Sequence, residues 1–192
     1  MADTGPMLHL DQAGALETLA QFKEVHLVPA VFAELQRNAP ALFRSSLPRW
    51  ARRAAPSAAA LSKAAVWVGA GLLHAGEAEA LAHAQIIHSE LFLTDDTAAR
   101  LMADSLGIPA RGSLGVILYA AATGCLDESE AERHLNSLAT RSTLWLSPLV
   151  RRKAERLWPK SSFNFVLTFH RPFPLVMSCS STASKLPIGH AV

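Results

Sequence analysis

Short apolar runs alternate along this chain with longer segments of helical period. That alternation most narrows the folds open to it, because parallel strands need crossover helices between them. The run at residues 24–28 reads as a strand. Pro29 follows and suits the first position of a helix, where its missing N–H costs nothing; this helix runs to about Asn38. Residues 77–88 have helical composition and period, and Leu91-Phe92-Leu93 reads as a short buried strand. A helix then runs to Leu106 and is closed by Gly107. Residues 108–111 are a strand remnant, and the helix over 114–122 is closed by Gly124. Asp127 or Ser129 caps the next helix, with Glu130 or Glu132 completing a capping box. Ser147-Pro148 opens a last helix that ends near Trp158-Pro159. The expected fold is α/β and three-layered, a short parallel sheet with helices on both faces.

Three other segments are read from local signals. Gly5-Pro6 is read as a turn into a short apolar stretch, and residues 14–22 as a helix with Leu16 and Leu19 inward. Pro40, Pro48 and Pro56 divide the region before Gly76. Within it, residues 58–65 read as helical and 66–68 as a very short strand, and Arg44, Arg49, Arg52 and Arg53 form a basic cluster.

The 192 residues suffice for one domain, placed over 1–158. Half the residues are apolar and 18% are charged, which is globular rather than disordered composition. Residues 159–192 differ: from Lys160 on there is no Asp or Glu, and Ser and Pro abound. That tail reads as a poorly ordered extension or as the product of an altered reading frame. A net charge of +2 permits a nucleic-acid partner without demanding one. No apolar run approaches the ~20 residues that span a bilayer, so no membrane partner is expected. Acidic Asp3 stands where a signal peptide would be basic. Cys125 and Cys179 make neither a disulfide framework nor a zinc motif, so the expected location is the cytoplasm.

The acids carry the chemistry. Glu77 opens a stripe continued by Ala80, Leu81, Ala84, Ile87 and His88, whereas Glu79 lies about 200° round the axis and is expected to face water. Glu34 shares a stripe with Ala30, Val31, Leu35 and Asn38. Asp95 follows the strand at Leu91-Phe92-Leu93, at the end where open parallel sheets bind ligands. Asp3 precedes a turn and projects from the same sheet edge if Met1-Ala2 end a strand. Each acid also has a local explanation. Glu77 can complement a helix dipole, Glu34 can reach solvent from the edge of its stripe, Asp95 or Asp96 can be an N-cap, and Asp3 can close an Asx-type turn. Four such acids on inner stripes and strand ends are harder to explain one by one. Packed together they would repel, and a divalent cation resolves the repulsion. Oxygen-only ligands favour Mg²⁺ or Mn²⁺ over Zn²⁺.

An ordered set of segments resembles the PIN domain, in particular its VapC-like branch. The segments are Asp3-Thr4-Gly5-Pro6-Met7-Leu8, Val28-Pro29-Ala30-Val31 through Glu34, Gly76-Glu77-Ala78-Glu79-Ala80-Leu81-Ala82, Leu93-Thr94-Asp95-Asp96 through Arg100, and Leu106-Gly107-Ile108 through Gly112-Ser113-Leu114-Gly115. The resemblance implies that Asp3, Glu34, Glu77 and Asp95 form the family's catalytic acidic cluster, with Thr4 and Ser113 as supporting polar residues. Asp3, Glu77 and Asp95 would ligate Mg²⁺ or Mn²⁺ directly or through water, with Asp96 as an additional acid. Glu34 would ligate or accept a proton from the attacking water. The implied activity is metal-dependent hydrolysis of RNA phosphodiester bonds by the toxin of a toxin–antitoxin pair. A small antitoxin and a second copy of the chain are the implied protein partners.

Two further readings stay open. Family members carry a full apolar strand before the first Asp, and only two residues stand there in this chain. That favours a catalytically degenerate PIN-like module that binds protein or RNA. A phospho-accepting receiver domain ranks last, because neither Lys23 nor Lys63 follows a convincing strand. Arg100 is read as a salt-bridge partner of the acids or an RNA contact, and Arg151, Arg152, Lys153 and Arg156 as a second basic cluster. The histidines, with no H-x-x-x-H pair, are read as scattered surface or partly buried residues.

Overall fold

A computed structural model of the chain describes residues 1–42 and 47–147. The last helix and the tail expected from the sequence, the second basic cluster, Arg44 and Cys179 lie outside those residues.

Four short strands are described: β1 (Val25–Leu27), β2 (Ala51–Arg53), β3 (Phe92–Leu93) and β4 (Ala110–Arg111). β1 pairs with β2 and β3 with β4, both in parallel. Residues 1–3 join the two pairs. Ala2 bridges Leu93 in parallel, Leu93 N donates to Met1 O (2.9 Å), Asp3 N to Leu93 O (2.9 Å) and Ala2 N to His26 O (3.0 Å). The spatial order is therefore β2, β1, residues 1–3, β3, β4. Each strand delivers its following residue to one edge, and Asp3, Val28, Thr94 and Gly112 all stand there.

Among the described residues, seven α-helices surround this sheet: α1 (Thr4–Gln12), α2 (Pro29–Asn38), α3 (Ala58–Gly69), α4 (Ala75–Ile86), α5 (Thr97–Ser105), α6 (Ser113–Ala122) and α7 (Glu128–Arg141). Helix α1 packs on α6 and α7, and α4 packs on α2, α3 and α5, which gives the three-layer α/β arrangement. The core between them includes Leu10, Leu19, Leu27, Leu35, Leu81, Phe92, Leu93, Ile117 and Leu138, all fully buried. Pro29 opens α2, Gly107 and Gly124 take positive φ after α5 and α6, and Asp127 with Glu130 forms the capping box of α7.

Four expectations need correction. Gly5-Pro6 is not a turn: Asp3 caps α1, and both residues lie in its first turn, where proline's missing N–H is harmless. The helix expected over 14–22 is instead a short 3₁₀ segment, Leu16–Gln21, because Gly14 at φ 66° ends α1. Residues 66–68 are not a strand. Ser57 caps α3, and Ala60, Ala64 and Trp67 bury one face of a helix that no Gly or Pro interrupts before Gly69. The strand in that region is β2, where buried Ala51 is followed by exposed Arg52 and Arg53. Those arginines therefore lie on a strand: Arg52 pairs with Glu24 (3.3 Å) and Arg53 stacks over Phe32 (4.1 Å). The inward stripe of α4 stops at Ala84, since the helix ends at Ile86 and Ile87 is 42% exposed. No helix among the described residues is long and apolar enough to cross a membrane.

Candidate functional site

Asp3, Thr4 and Gly5 are consecutive, and each reaches a different part of the sheet edge. Asp3 is buried, with 4% exposure. Its Oδ1 accepts from Thr4 N (2.6 Å) and its Oδ2 from Thr94 Oγ1 (3.3 Å). Burial, with Glu77 and Glu34 nearby, outweighs these donors and lifts its carboxyl from 3.8 to about 7. The Thr4 hydroxyl donates to Glu34 Oε2. A Cβ on Gly5 would stand 3.4 Å from the Cβ of Asp95, so this turn of α1 lies against that residue.

Glu34 comes from α2 and ends at the first turn of α4, where Gly76 N donates to its Oε1 (3.2 Å). The unbonded N–H groups and the dipole of a helix start favour a carboxylate there. A Cβ on Gly76 would sit 2.7 Å from both Glu34 oxygens. Glu77 follows, and its Oε2 accepts from His74 N (2.8 Å) in a capping box. Burial raises its pKa, Asp96 and Glu34 add to the rise, and the His74 bond opposes it. Glu79 is not the solvated residue expected from its angle. It is half-buried, and its Oε1 accepts from Ala30 N (3.2 Å) at the start of α2.

Asp95 stands just beyond β3. Its Oδ1 accepts from Ser113 N (2.8 Å) and its Oδ2 from Ser113 Oγ (2.5 Å), at the start of α6. Nδ1 of His9 lies 2.8 Å from the same Oδ2. A Cβ on Gly112 would fall 2.4 Å from Asp95 Oδ1. Asp96 is the N-cap of α5, its Oδ1 accepting from Ala99 N (2.7 Å). The local explanation therefore holds for Asp96 and fails for Asp95. Arg100 donates from Nη2 to the Thr94 carbonyl (3.1 Å) and makes no salt bridge with the acids.

The six acids and hydroxyls expected from the sequence thus gather at one sheet edge around the start of α1, with Asp96 beside them. Among the described residues, no three His, Cys, Asp or Glu side chains converge tightly enough to enclose a metal ion. The donor set still suits a hard dication. Carboxylate oxygens predominate, and Glu34 and Glu77 lie close enough to buried Asp3 for their charges to raise its pKa.

Sequence reasoning missed His9, Thr94 and the two glycines. A helix starting at Thr4 would have exposed His9, because Gly5 and His9 are one turn apart on one face. Thr94 bonds both Asp3 and the backbone of Asp96, a link that only the sheet register reveals.

No curated protein and no solved structure matches the chain. A family model described as a PIN domain matches residues 1–160, and the chain belongs to the PIN-domain family.

Proposed function

We propose that this chain is a metal-dependent endoribonuclease, the toxin of a toxin–antitoxin pair acting in the cytoplasm. PIN domains are in general nucleases, hydrolases of phosphodiester bonds that use divalent metal ions. The observation that carries the reading is Asp3: a buried carboxyl at the sheet edge whose charged neighbours are the acids Glu34 and Glu77.

Asp3, Glu77 and Asp95 would hold Mg²⁺ or Mn²⁺, with the uncapped oxygen of Asp96 as a further donor. An ion bound there would supply polarisation of phosphoryl oxygens and a lowered pKa for an attacking water. Glu34, held in place by the Thr4 hydroxyl and Gly76 N, would accept a proton from the attacking water. Ser113 fixes Asp95 through two bonds. Exposed Arg100 beside the site, and Arg52 and Arg53 on β2, offer phosphate contacts to RNA. Leu61, Val66, Val68 and Leu72 are exposed on and just after α3 and offer apolar surface to a second copy or an antitoxin.

The test is Mn²⁺ binding and RNA cleavage by the full chain and by Asp95→Asn. Cleavage should require Mn²⁺ or Mg²⁺, stop on chelation, and fall by about 100-fold or more in the variant. A chain that binds RNA but no Mn²⁺ would instead be a degenerate binding module.

A further inference from the structure

We propose that His9 is a positioning residue for Asp95, holding its carboxylate in one orientation so that a single lone pair is left for the cation. The proposal rests on the ribonuclease reading for its purpose but not for its geometry. Helix α1 starts at Thr4, which puts His9 one turn beyond Gly5 and on the face turned to Asp95. Nδ1 of His9 and Oδ2 of Asp95 are 2.8 Å apart, and the two side chains are 14% and 8% exposed. Water therefore competes little for this contact.

An ionised carboxylate only accepts hydrogen bonds, so the proton between the two residues belongs to Nδ1. Ser113 N occupies Oδ1, while Ser113 Oγ and His9 Nδ1 both occupy Oδ2. A carboxylate offers about four lone-pair positions. Three are taken, and the one left belongs to Oδ1. Ser113 alone bonds Asp95 from one side, at the start of α6. His9 bonds it from α1, the helix that Asp3 caps. The ring thus ties Asp95 to the element carrying its partner acid, and groups that orient a metal ligand in this way commonly govern metal affinity.

Two measurements on the full chain decide the matter. The first is ¹⁵N NMR of the metal-free protein in mildly alkaline buffer, together with the Asp95 carboxyl ¹³C resonance. His9 should carry its proton on Nδ1. The Asp95 resonance should move in His9→Phe and stay near its place in His9→Asn, whose amide nitrogen can stand where Nδ1 stands. The second is titration with Mn²⁺ alone. His9→Phe should weaken binding about tenfold at an unchanged melting temperature, and His9→Asn should restore most of the affinity. An Nε2–H tautomer in the wild type would overturn the proposal. So would equal weakening in both variants with a lowered melting temperature, which would make His9 a packing residue. Wild-type affinity in His9→Phe would overturn it as well. If the wild type binds no Mn²⁺, the ribonuclease reading fails, and the tautomer and the carboxyl resonance still decide whether His9 holds Asp95.

Discussion

Glu34 and Asp95 each lie against the start of a helix, each accepts a backbone N–H there, and each takes a bond from a hydroxyl. Glu34 meets Gly76 N of α4 and the Thr4 hydroxyl, and Asp95 meets Ser113 N of α6 and the Ser113 hydroxyl. A glycine stands at both corners because the carboxylate occupies the space a Cβ would need. The corners differ in stiffness. Asp95 is a short side chain on a strand end with three donors around it, and the Thr94 carbonyl would lie 3.3 Å from a Cβ on Gly112. Glu34 is a longer side chain reaching across from α2, and only its far end meets Gly76. One electrostatic solution, a helix start plus a hydroxyl, is thus built rigidly once and loosely once. Asp3, between the corners, caps its own helix α1 and takes a bond from the Thr94 hydroxyl.

The largest effect should come from Asp3, where burial outweighs both hydrogen bonds. Burial raises the Asp3 pKa, so its protonated form suits the fold. Its contribution to stability is fully present below 3.8 and is lost as pH rises through about 7. At pH 8 the buried charge costs up to roughly 4 kcal/mol, at about 1.4 kcal/mol per unit of pKa. Asp3→Asn should therefore be more stable than wild type in chelator at pH 8, and the advantage should shrink toward pH 4, while Mn²⁺ binding is lost. The Met1 amine, lowered to about 5 by burial, acts with opposite sign between 5 and 8. It is common to both proteins, so the difference between their urea-unfolding curves isolates Asp3. A difference that does not change with pH would mean that Asp3 is compensated as fully as its neighbours.

Next in size is the rigid corner. Gly112→Ala places a methyl group 2.4 Å from Asp95 Oδ1 and 3.0 Å from Arg100 Nη2. Exposed Arg100 can swing away by giving up its bond to Thr94, but Asp95 cannot yield cheaply, because Ser113 and His9 pin it. Overpacking of this kind costs about 1–3 kcal/mol, and the upper half of that range is expected. Urea unfolding should show the loss, and Mn²⁺ affinity should fall by about tenfold or more as Asp95 moves.

What the sequence could show divides along the same physical line. Helices with local punctuation were legible: Pro29 at the start of α2, Gly107 after α5, and Asp127 with Glu130 at α7. The PIN-like fold was legible because its segments come in order, although no one segment is specific. Strand β2 was not, since a strand with only Ala51 inward and two arginines outward has no apolar run to betray it. The acids could be picked out because carboxylates on apolar stripes and strand ends are locally anomalous. Asp96 shares that anomaly with Asp95 and is an N-cap, a distinction that depends on which side chain turns back to Ala99. His9 was hidden by one misplaced helix start. The need for Gly76 and Gly112 was hidden more deeply, because it arises from carboxylates that only the fold brings to them.

The smallest stability effect should be found at the loose corner, and it is the sharpest check on the contrast. Gly76→Ala also creates a close contact, 2.7 Å to both Glu34 oxygens. Here the obstructing atoms end a flexible side chain that is only half-buried. Glu34 can swing away from α4 by giving up its bonds to Gly76 N and Thr4, each worth about 1 kcal/mol net or somewhat more for a charged acceptor. Alanine in place of glycine in a helix returns up to about 1 kcal/mol. The sum is a net loss of about 1 kcal/mol, smaller than that expected for Gly112→Ala, so the unfolding midpoint should fall only slightly. The displacement of Glu34 should appear instead as a several-fold loss of RNA cleavage with Mn²⁺ affinity largely kept, the pattern expected if Glu34 handles the proton while Asp3, Glu77 and Asp95 hold the ion. If Gly76→Ala destabilised the fold as much as Gly112→Ala, the two corners would be equally stiff. If it removed Mn²⁺ binding outright, Glu34 would belong among the ligands.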